Sequence, residues 1–304
     1  MTDLTGIFSA LLTPFDDDGA IDRAATERLV AFQRRLGVQG LYVGGSSGEA
    51  MLQGLEERIE YLELVARLVG SDMPLIAHVG AIATADTIAL AERAAAAGYH
   101  AVSAIPPYYY GFSRGEVMAH FRILADRSPL PVIVYNFPAR TQGFSTAELD
   151  ELLSYPNVAG LKNTSPDYFQ MERLLRAHPA ALIYNGADEM CLAGLAIGAQ
   201  GAIGTTYNFM GDLFVAMRAC VAASDIEQAR RLQAIANEVI AVLLEVGVMP
   251  GSKALLGIMG VEVGPARPPF RRVSEDEHGR LARAVAPLLA WRGQRSGPKG
   301  RSLG

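Results

Sequence analysis

Lysine is almost missing from this chain: 27 residues are basic, and only those at positions 162, 253 and 299 are lysine. Arginine stays protonated and cannot act as an amine nucleophile, so each lysine kept in so arginine-rich a chain asks for a reason. Cysteine is as scarce. Cys191 and Cys220 both fall in helix-period segments and provide neither a disulfide framework nor metal-ligand spacing. The five histidines, at 78, 100, 120, 178 and 278, are scattered without an H-E-x-x-H or a His/Cys cluster, so no metal site is expected. A formal charge of -5, a pI near 5.6 and the lack of a basic stripe interleaved with aromatics argue against nucleic acid and for a small-molecule partner. The start, "MTDLTGIFSALLTPF", has no basic segment leading into a long apolar one, and no apolar run reaches the roughly 18 to 20 residues of a membrane span. The expectation is a cytoplasmic protein without a membrane partner.

What is present is a rhythm. Short apolar, β-branched runs ending in polar or glycine residues recur eight times: "FSALLTP" from 8, "GLYVGG" from 40, "LIAHVG" from 75, "AVSAIPP" from 101, "VIVYNFP" from 132, "VAGLKNTS" from 158, "ALIYNG" from 181 and "GAIGTT" from 201. Helix-period segments fill the gaps, such as 55–68, 84–98 and 146–155. Near-continuous apolar strands alternating with helices mean a parallel sheet covered by helices. Eight such units predict an α/β fold, a (β/α)8 TIM barrel. A doubly wound sheet would need a phosphate-binding glycine turn after the first strand, and "LTPFDDDG" is not one. "GGSSGEA" after the second strand lacks both the dinucleotide order and a Walker lysine. After residue 210 the pattern reads as all-helical, with a last helix near 274–292. The predicted organisation is a barrel over 1–223, a C-terminal helical extension over 224–292 and a flexible tail over 293–304.

Reactive groups of such a barrel come from the C-terminal ends of its strands. Lys162 stands at the end of the sixth, where a buried ammonium costs several kcal/mol unless paired and escapes by a lowered pKa. A neutral amine in a dry pocket adds to carbonyls and forms a Schiff base. The alternative is a lysine that snorkels from the barrel mouth or pairs with a carboxylate. Tyr135 ends the neighbouring fifth strand and could relay protons, or could be a rim tyrosine. Ser46 and Ser47 lie in a glycine-bracketed turn suited to a carboxylate, or simply precede a helix. His78 either lines the pocket or is a satisfied core histidine. Asp188 and Glu189 follow the seventh strand, and on residue pattern alone Asp188 reads as a cap of the helix "EMCLAGLAIG".

As a set and in this order, "GGSSGEA", "YNFPART" and "GLKNTS" resemble the dihydrodipicolinate synthase and N-acetylneuraminate lyase superfamily of lysine-dependent class I pyruvate aldolases. The likeness covers nearly the whole chain. It implies that Lys162 forms the Schiff base, Tyr135 relays protons, and Ser46 and Ser47 hold the ketoacid carboxylate, with no metal or organic cofactor. "LIAHVG", "AVSAIPPYYYGFS", "YNGADE" and "GAIGTTYNFMGD" are similar to the sialic acid lyase branch. That branch implies hydroxyl binding by Asp188 and Glu189, with Thr164, Gly186, Gly204 and Thr205 around the sugar. The resemblance further implies a homotetramer, a dimer of dimers, in which Tyr109 reaches into a neighbouring subunit's site. Arg140 departs from the branch: "PART" is more similar to the synthases, whose arginine there binds a substrate carboxylate. The expected reaction is cleavage of N-acetylneuraminate to pyruvate and N-acetylmannosamine. Its alternatives are a 4-hydroxy-tetrahydrodipicolinate synthase, another 2-keto-3-deoxy sugar acid aldolase, a metal-dependent aldolase or phosphate-binding barrel, and a non-catalytic sugar-acid-binding regulatory barrel.

Overall fold

The structure, a computed structural model, describes residues 2–296. Eight parallel strands pair in sequence order, and the eighth closes on the first. They are β1 (Gly6–Ala10), β2 (Gly40–Val43), β3 (Leu75–His78), β4 (Ala101–Ala104), β5 (Val132–Asn136), β6 (Val158–Asn163), β7 (Leu182–Asn185) and β8 (Gly201–Gly204). The helices between and after them are α1 (Arg23–Leu36), α2 (Leu55–Val69), α3 (Thr84–Ala96), α4 (Arg114–Arg127), α5 (Thr146–Leu153), α6 (Tyr168–Ala177), α7 (Cys191–Ala196) and α8 (Tyr207–Ala222). Four more complete the described chain: α9 (Ile226–Val246), α10 (Val248–Ile258), α11 (Glu275–Ala284) and α12 (Ala286–Ser296). This is the TIM barrel with C-terminal helices that the eightfold rhythm predicted. Among the described residues no helix is long and apolar enough to cross a membrane.

Local chemistry sets the boundaries. Asp22 accepts the Ala25 N–H at the start of α1, and Gly37 ends the helix in the left-handed region, with φ 72°. Ser113 with Glu116, Ser145 with Glu148 and Ser274 with Glu277 form capping boxes at α4, α5 and α11. The strands are buried on both faces, which is why they read as continuous apolar runs. Alternate residues divide between two cores: Leu41, Val43, Val102, Val132, Val134, Leu161 and Ile183 pack under the helices. Phe8, Tyr42, Ile76, Ile133, Tyr135, Tyr184 and Ile203 fill the barrel itself.

The β5–β6 seam carries an irregularity that matters for the site. Val132 pairs with Val158 and Ile133 with Gly160, so the ladder skips Ala159. Beyond that bulge Tyr135 lies opposite Lys162. Because side chains alternate along a strand, the extra residue decides which face the lysine joins.

Three expectations about the C-terminal part differ from what is seen. Residues 261–273 are not helical, because glycine and proline interrupt the pattern at Gly260, Gly264, Pro265, Pro268 and Pro269. The last helix is two, α11 and α12, which meet at Val285. Of the expected tail, residues 293–296 continue α12 and residues 297–304 lie outside the described residues. Cys191 and Cys220 are both free.

Close approach of backbones explains the glycine of β6. A Cβ on Gly160 would sit 2.1 Å from the Leu182 carbonyl oxygen. Gly160→Ala is expected to destabilise the fold by about 1–3 kcal/mol. Gly115→Ala, exposed inside α4 with nothing near its Cβ position, is expected to stabilise by about 0.5–1 kcal/mol. Urea denaturation midpoints of the two variants check both signs.

Candidate active site at the barrel mouth

Lys162 is flanked in register by Tyr135 on β5 and Tyr184 on β7. Its side chain is buried, with Nζ 4.3 Å from the centre of the Tyr42 ring and 4.1 Å from that of Tyr135. Among the described residues nothing hydrogen-bonds Nζ and no carboxylate lies within ion-pair distance. Two ring faces favour the ammonium by about 0.5–2 kcal/mol each, whereas stripping water from an ion costs several kcal/mol. Burial therefore wins: it pulls the Lys162 pKa down to about 7, against a smaller upward pull from Asp188. Near neutral pH a large fraction of the amine carries its lone pair.

Tyr135 is also buried, and burial pushes its phenol up to about 12 despite a hydrogen bond from Thr164 Oγ1 at 3.5 Å. It therefore keeps its proton at neutral pH. The ring stacks on Phe137 and meets His78 and Tyr42 edge-on. His78 thus lines the barrel interior next to the lysine and is fully buried. Its Nδ1 lies 3.1 Å from the Gly44 carbonyl oxygen, which assigns the ring proton to that nitrogen, and burial holds the imidazole neutral.

Residues 44–49 form the turn after β2. Ser47 is buried and Ser46 exposed, and Ser47 Oγ is hydrogen-bonded to Thr205 Oγ1 at 2.7 Å. The Gly48 and Glu49 N–H groups are used within the turn, bonding the carbonyls of Gly45 and Ser46. Those of Ser46 and Ser47 donate to nothing among the described residues, which leaves two successive N–H donors beside two hydroxyls, a concavity suited to a carboxylate. Thr13 Oγ1 and Gln53 Nε2 both donate to the Gly48 carbonyl and hold the turn from below.

On the far side, Asp188 Oδ2 accepts from the N–H and the Oγ1 of Thr206, each at 2.8 Å. Asp188 thus ties down the N-terminus of α8 and not the helix that follows it in sequence. Burial raises its pKa to about 6, and the two Thr206 bonds resist that rise. No described group hydrogen-bonds Oδ1. A Cβ on Gly204 would stand 2.1 Å from that oxygen, and one on Gly186 would stand 2.0 Å from Thr164 Oγ1, so both glycines keep the mouth open.

Contacts run from Lys162 to Tyr135 to Thr164 and Gly186, from Ser47 to Thr205, and from Asp188 to Gly204. Ser46, Glu189, Arg140 and Tyr109 are exposed. Arg140 lies on the loop after β5, and its guanidinium has no hydrogen bond or ion pair among the described residues. Tyr109 is 86% exposed, with φ 78°, on the loop after β4. Tyr42 was not foreseen, although it shares the interior face with Gly40 and is the last such residue of "GLYVGG" before the turn. Thr206, the partner of Asp188, was missed as well, since nothing local links it to residue 188.

Many known proteins resemble this chain in sequence and in fold. The chain matches the Dihydrodipicolinate synthetase family over residues 3–287. It is 66% identical over 289 residues to the N-acetylneuraminate lyase of Rhizobium meliloti (strain 1021), covering 95% of this chain and 97% of that one. The N-acetylneuraminate lyase of Escherichia coli (strain K12 / DH10B) is 43% identical over 295 residues, covering 96% and 99%. CdNal from Clostridium difficile, solved in complex with mannosamine, superposes with a TM-score of 0.91 at 31% identity, covering 93% of this chain and 98% of that one. By fold, by the order of its strand-end motifs and by these matches, the chain belongs to the dihydrodipicolinate synthetase family.

Proposed function

We propose that the protein is a class I pyruvate-dependent aldolase that cleaves N-acetylneuraminate to pyruvate and N-acetylmannosamine, with Lys162 as the nucleophile. The observation that carries this reading is the Lys162 amine, buried, without an anion in contact among the described residues and with its pKa brought down to about 7. Relatives named N-acetylneuraminate lyase at 66% and 43% identity support the choice of sugar acid. Nζ adds to the ketone carbon C2 of the open-chain substrate, and the carbinolamine hydroxyl takes the Tyr135 phenol proton and leaves as water, giving a protonated imine beside a phenolate. The imine draws the electrons of the C3–C4 bond toward nitrogen as that bond breaks. The C4 hydroxyl proton passes to the Tyr135 phenolate, which becomes a phenol again, and the new aldehyde departs. The enamine takes that proton from Tyr135 at C3, and hydrolysis of the resulting protonated imine, with the phenolate accepting a proton from the attacking water, returns pyruvate, the free amine and the phenol. Tyr135 is the relay because it lies opposite Lys162 and its OH is bonded to Thr164. No step calls on a metal or an organic cofactor.

The carboxylate of the substrate sits on the Ser46 and Ser47 N–H groups and hydroxyls. The hydroxyl tail runs past Thr164, Gly186, Gly204 and Thr205 to Asp188 Oδ1 and Glu189. The protein works as a homotetramer in which the exposed Tyr109 enters the site of a neighbouring subunit. Arg140, exposed at the mouth, favours a second reading in which the aldehyde partner carries its own carboxylate, as in a dihydrodipicolinate synthase. A panel of N-acetylneuraminate, other 2-keto-3-deoxy sugar acids, and aspartate semialdehyde with pyruvate separates the two, with N-acetylneuraminate expected to have the highest kcat/KM.

Borohydride reduction in the presence of pyruvate should add the mass of the reduced adduct to the peptide carrying Lys162. Lys162→Arg should take no adduct and lose turnover by a factor on the order of 10^4 or more. Full activity in that variant would remove the Schiff base. The pH profile of kcat/KM should fall on its acid side with a midpoint near 7, as the amine gains its proton. Asp188 favours the ammonium, so Asp188→Asn should move that limb to lower pH; a limb that stays in place would uncouple the two residues. Light scattering should find a tetramer, and a fully active monomer would exclude Tyr109 from the site.

A further inference from the structure

Two lysines lie among the described residues, and the reaction above uses one. The other, Lys253 on α10, is outside the barrel and equally hidden: its side chain is 2% exposed and that of its partner Glu49 is 0%. Lys253 Nζ lies 2.7 Å from Glu49 Oε1, donates to the Pro265 carbonyl at 2.9 Å and sits 4.4 Å from the centre of the Phe15 ring. Glu49 Oε2 accepts the Arg267 N–H at 2.8 Å. The C-terminal segment therefore holds both oxygens of a residue that belongs to the serine turn at the barrel mouth. Arg267 extends the same grip, since its guanidinium bonds Glu57 and the carbonyls of Gly19 and Leu52.

Glu49 has φ 57° and ψ 31°, a left-handed conformation uncommon for a residue with a side chain. Such a conformation persists where the surroundings over-determine it. A buried ion pair is a poor source of stability, because desolvating two charges offsets most of their attraction; what it specifies is geometry. The choice of lysine in an arginine-rich chain fits that purpose, since a compact ammonium meets a carboxylate, a carbonyl and a ring face where a planar guanidinium needs more room.

We propose that Lys253 and Glu49 are positioning residues for the ketoacid: their pair locks the left-handed turn at Glu49 and so aims the free N–H groups of Ser46 and Ser47 at the incoming carboxylate. This rests on the reading of that turn as the carboxylate site. Its signature is weakened capture of pyruvate with the chemistry retained.

The test titrates pyruvate against borohydride trapping at Lys162 in the full-length protein, with steady-state kinetics and a urea midpoint on each sample. Glu49→Gln keeps the shape and an acceptor for Arg267, and Lys253→Met keeps the length of the lysine. Each should raise half-saturating pyruvate by about tenfold, leave the maximal adduct and kcat within about twofold, and combine in the double variant with no further loss. Unshifted half-saturation in the folded variants overturns the inference, and so does a loss of kcat that merely follows a loss of folded protein. If Glu49→Gln does not fold, the pair serves the fold and the positioning role is overturned. Absence of any adduct in the unsubstituted protein sinks the Schiff-base reading and this inference with it. An adduct there with unshifted variants sinks this inference alone.

Discussion

The site depends on a buried amine with no anion in contact among the described residues. Lys162 and Lys253 show what that condition decides. Both are buried and both lie over aromatic rings, but Lys253 meets Glu49 at 2.7 Å, whereas Lys162 lies over the faces of Tyr42 and Tyr135 with no carboxylate in contact among the described residues. Burial lowers both pKa values. At Lys253 the carboxylate opposes that shift directly, and the residue serves as a structural cation. At Lys162 the opposition is left to Asp188, whose charge is partly spent on Thr206 and whose own pKa is raised by burial. The same side chain is suited to anchor a segment or to act as a nucleophile according to whether a carboxylate touches it.

Geometry carries this condition to the right place. The bulge at Ala159 sets the phase of β6, so Lys162 shares the interior with Tyr135 and Tyr184 and the apolar Leu161 faces the helices. Thr164 and Gly186 extend the ladder past the strand ends through N–H bonds to the Asn136 and Asn163 carbonyls. The residues around the mouth thus sit on nearly continuous backbone pairing, which is how a barrel holds a site rigid on the ends of short strands.

Much of this was legible from residue order. A parallel strand buried on both faces reads as an unbroken apolar run, and eight of them spaced by helices leave little choice of fold. Lys162 could be picked out because it interrupts such a run in a chain that otherwise prefers arginine. What could not be read depends on which strands become neighbours and on the closure of the barrel. Tyr42 is 120 residues from Lys162 and looks like any strand tyrosine until the barrel brings them together. Asp188 looked like the cap of its own helix, whereas the partner it selects is Thr206, on the next strand's loop. The excursion over residues 261–273 was hidden because the helical periodicity on either side outweighed the prolines inside it. Arg140 and Tyr109, exposed on loops, show from one subunit only that they are available.

The want of a contacting anion around Lys162 also selects what can react there. An imine formed at Lys162 carries a positive charge that no carboxylate among the described residues contacts, Asp188 acting only from a distance. In the proposed reaction a ketoacid would bring the compensating charge on its own adjacent carboxylate and deliver it to the serine turn. A simple ketone or aldehyde would leave that buried cation without a contacting anion, so the proposed site would discriminate by charge balance before any sugar hydroxyl is read.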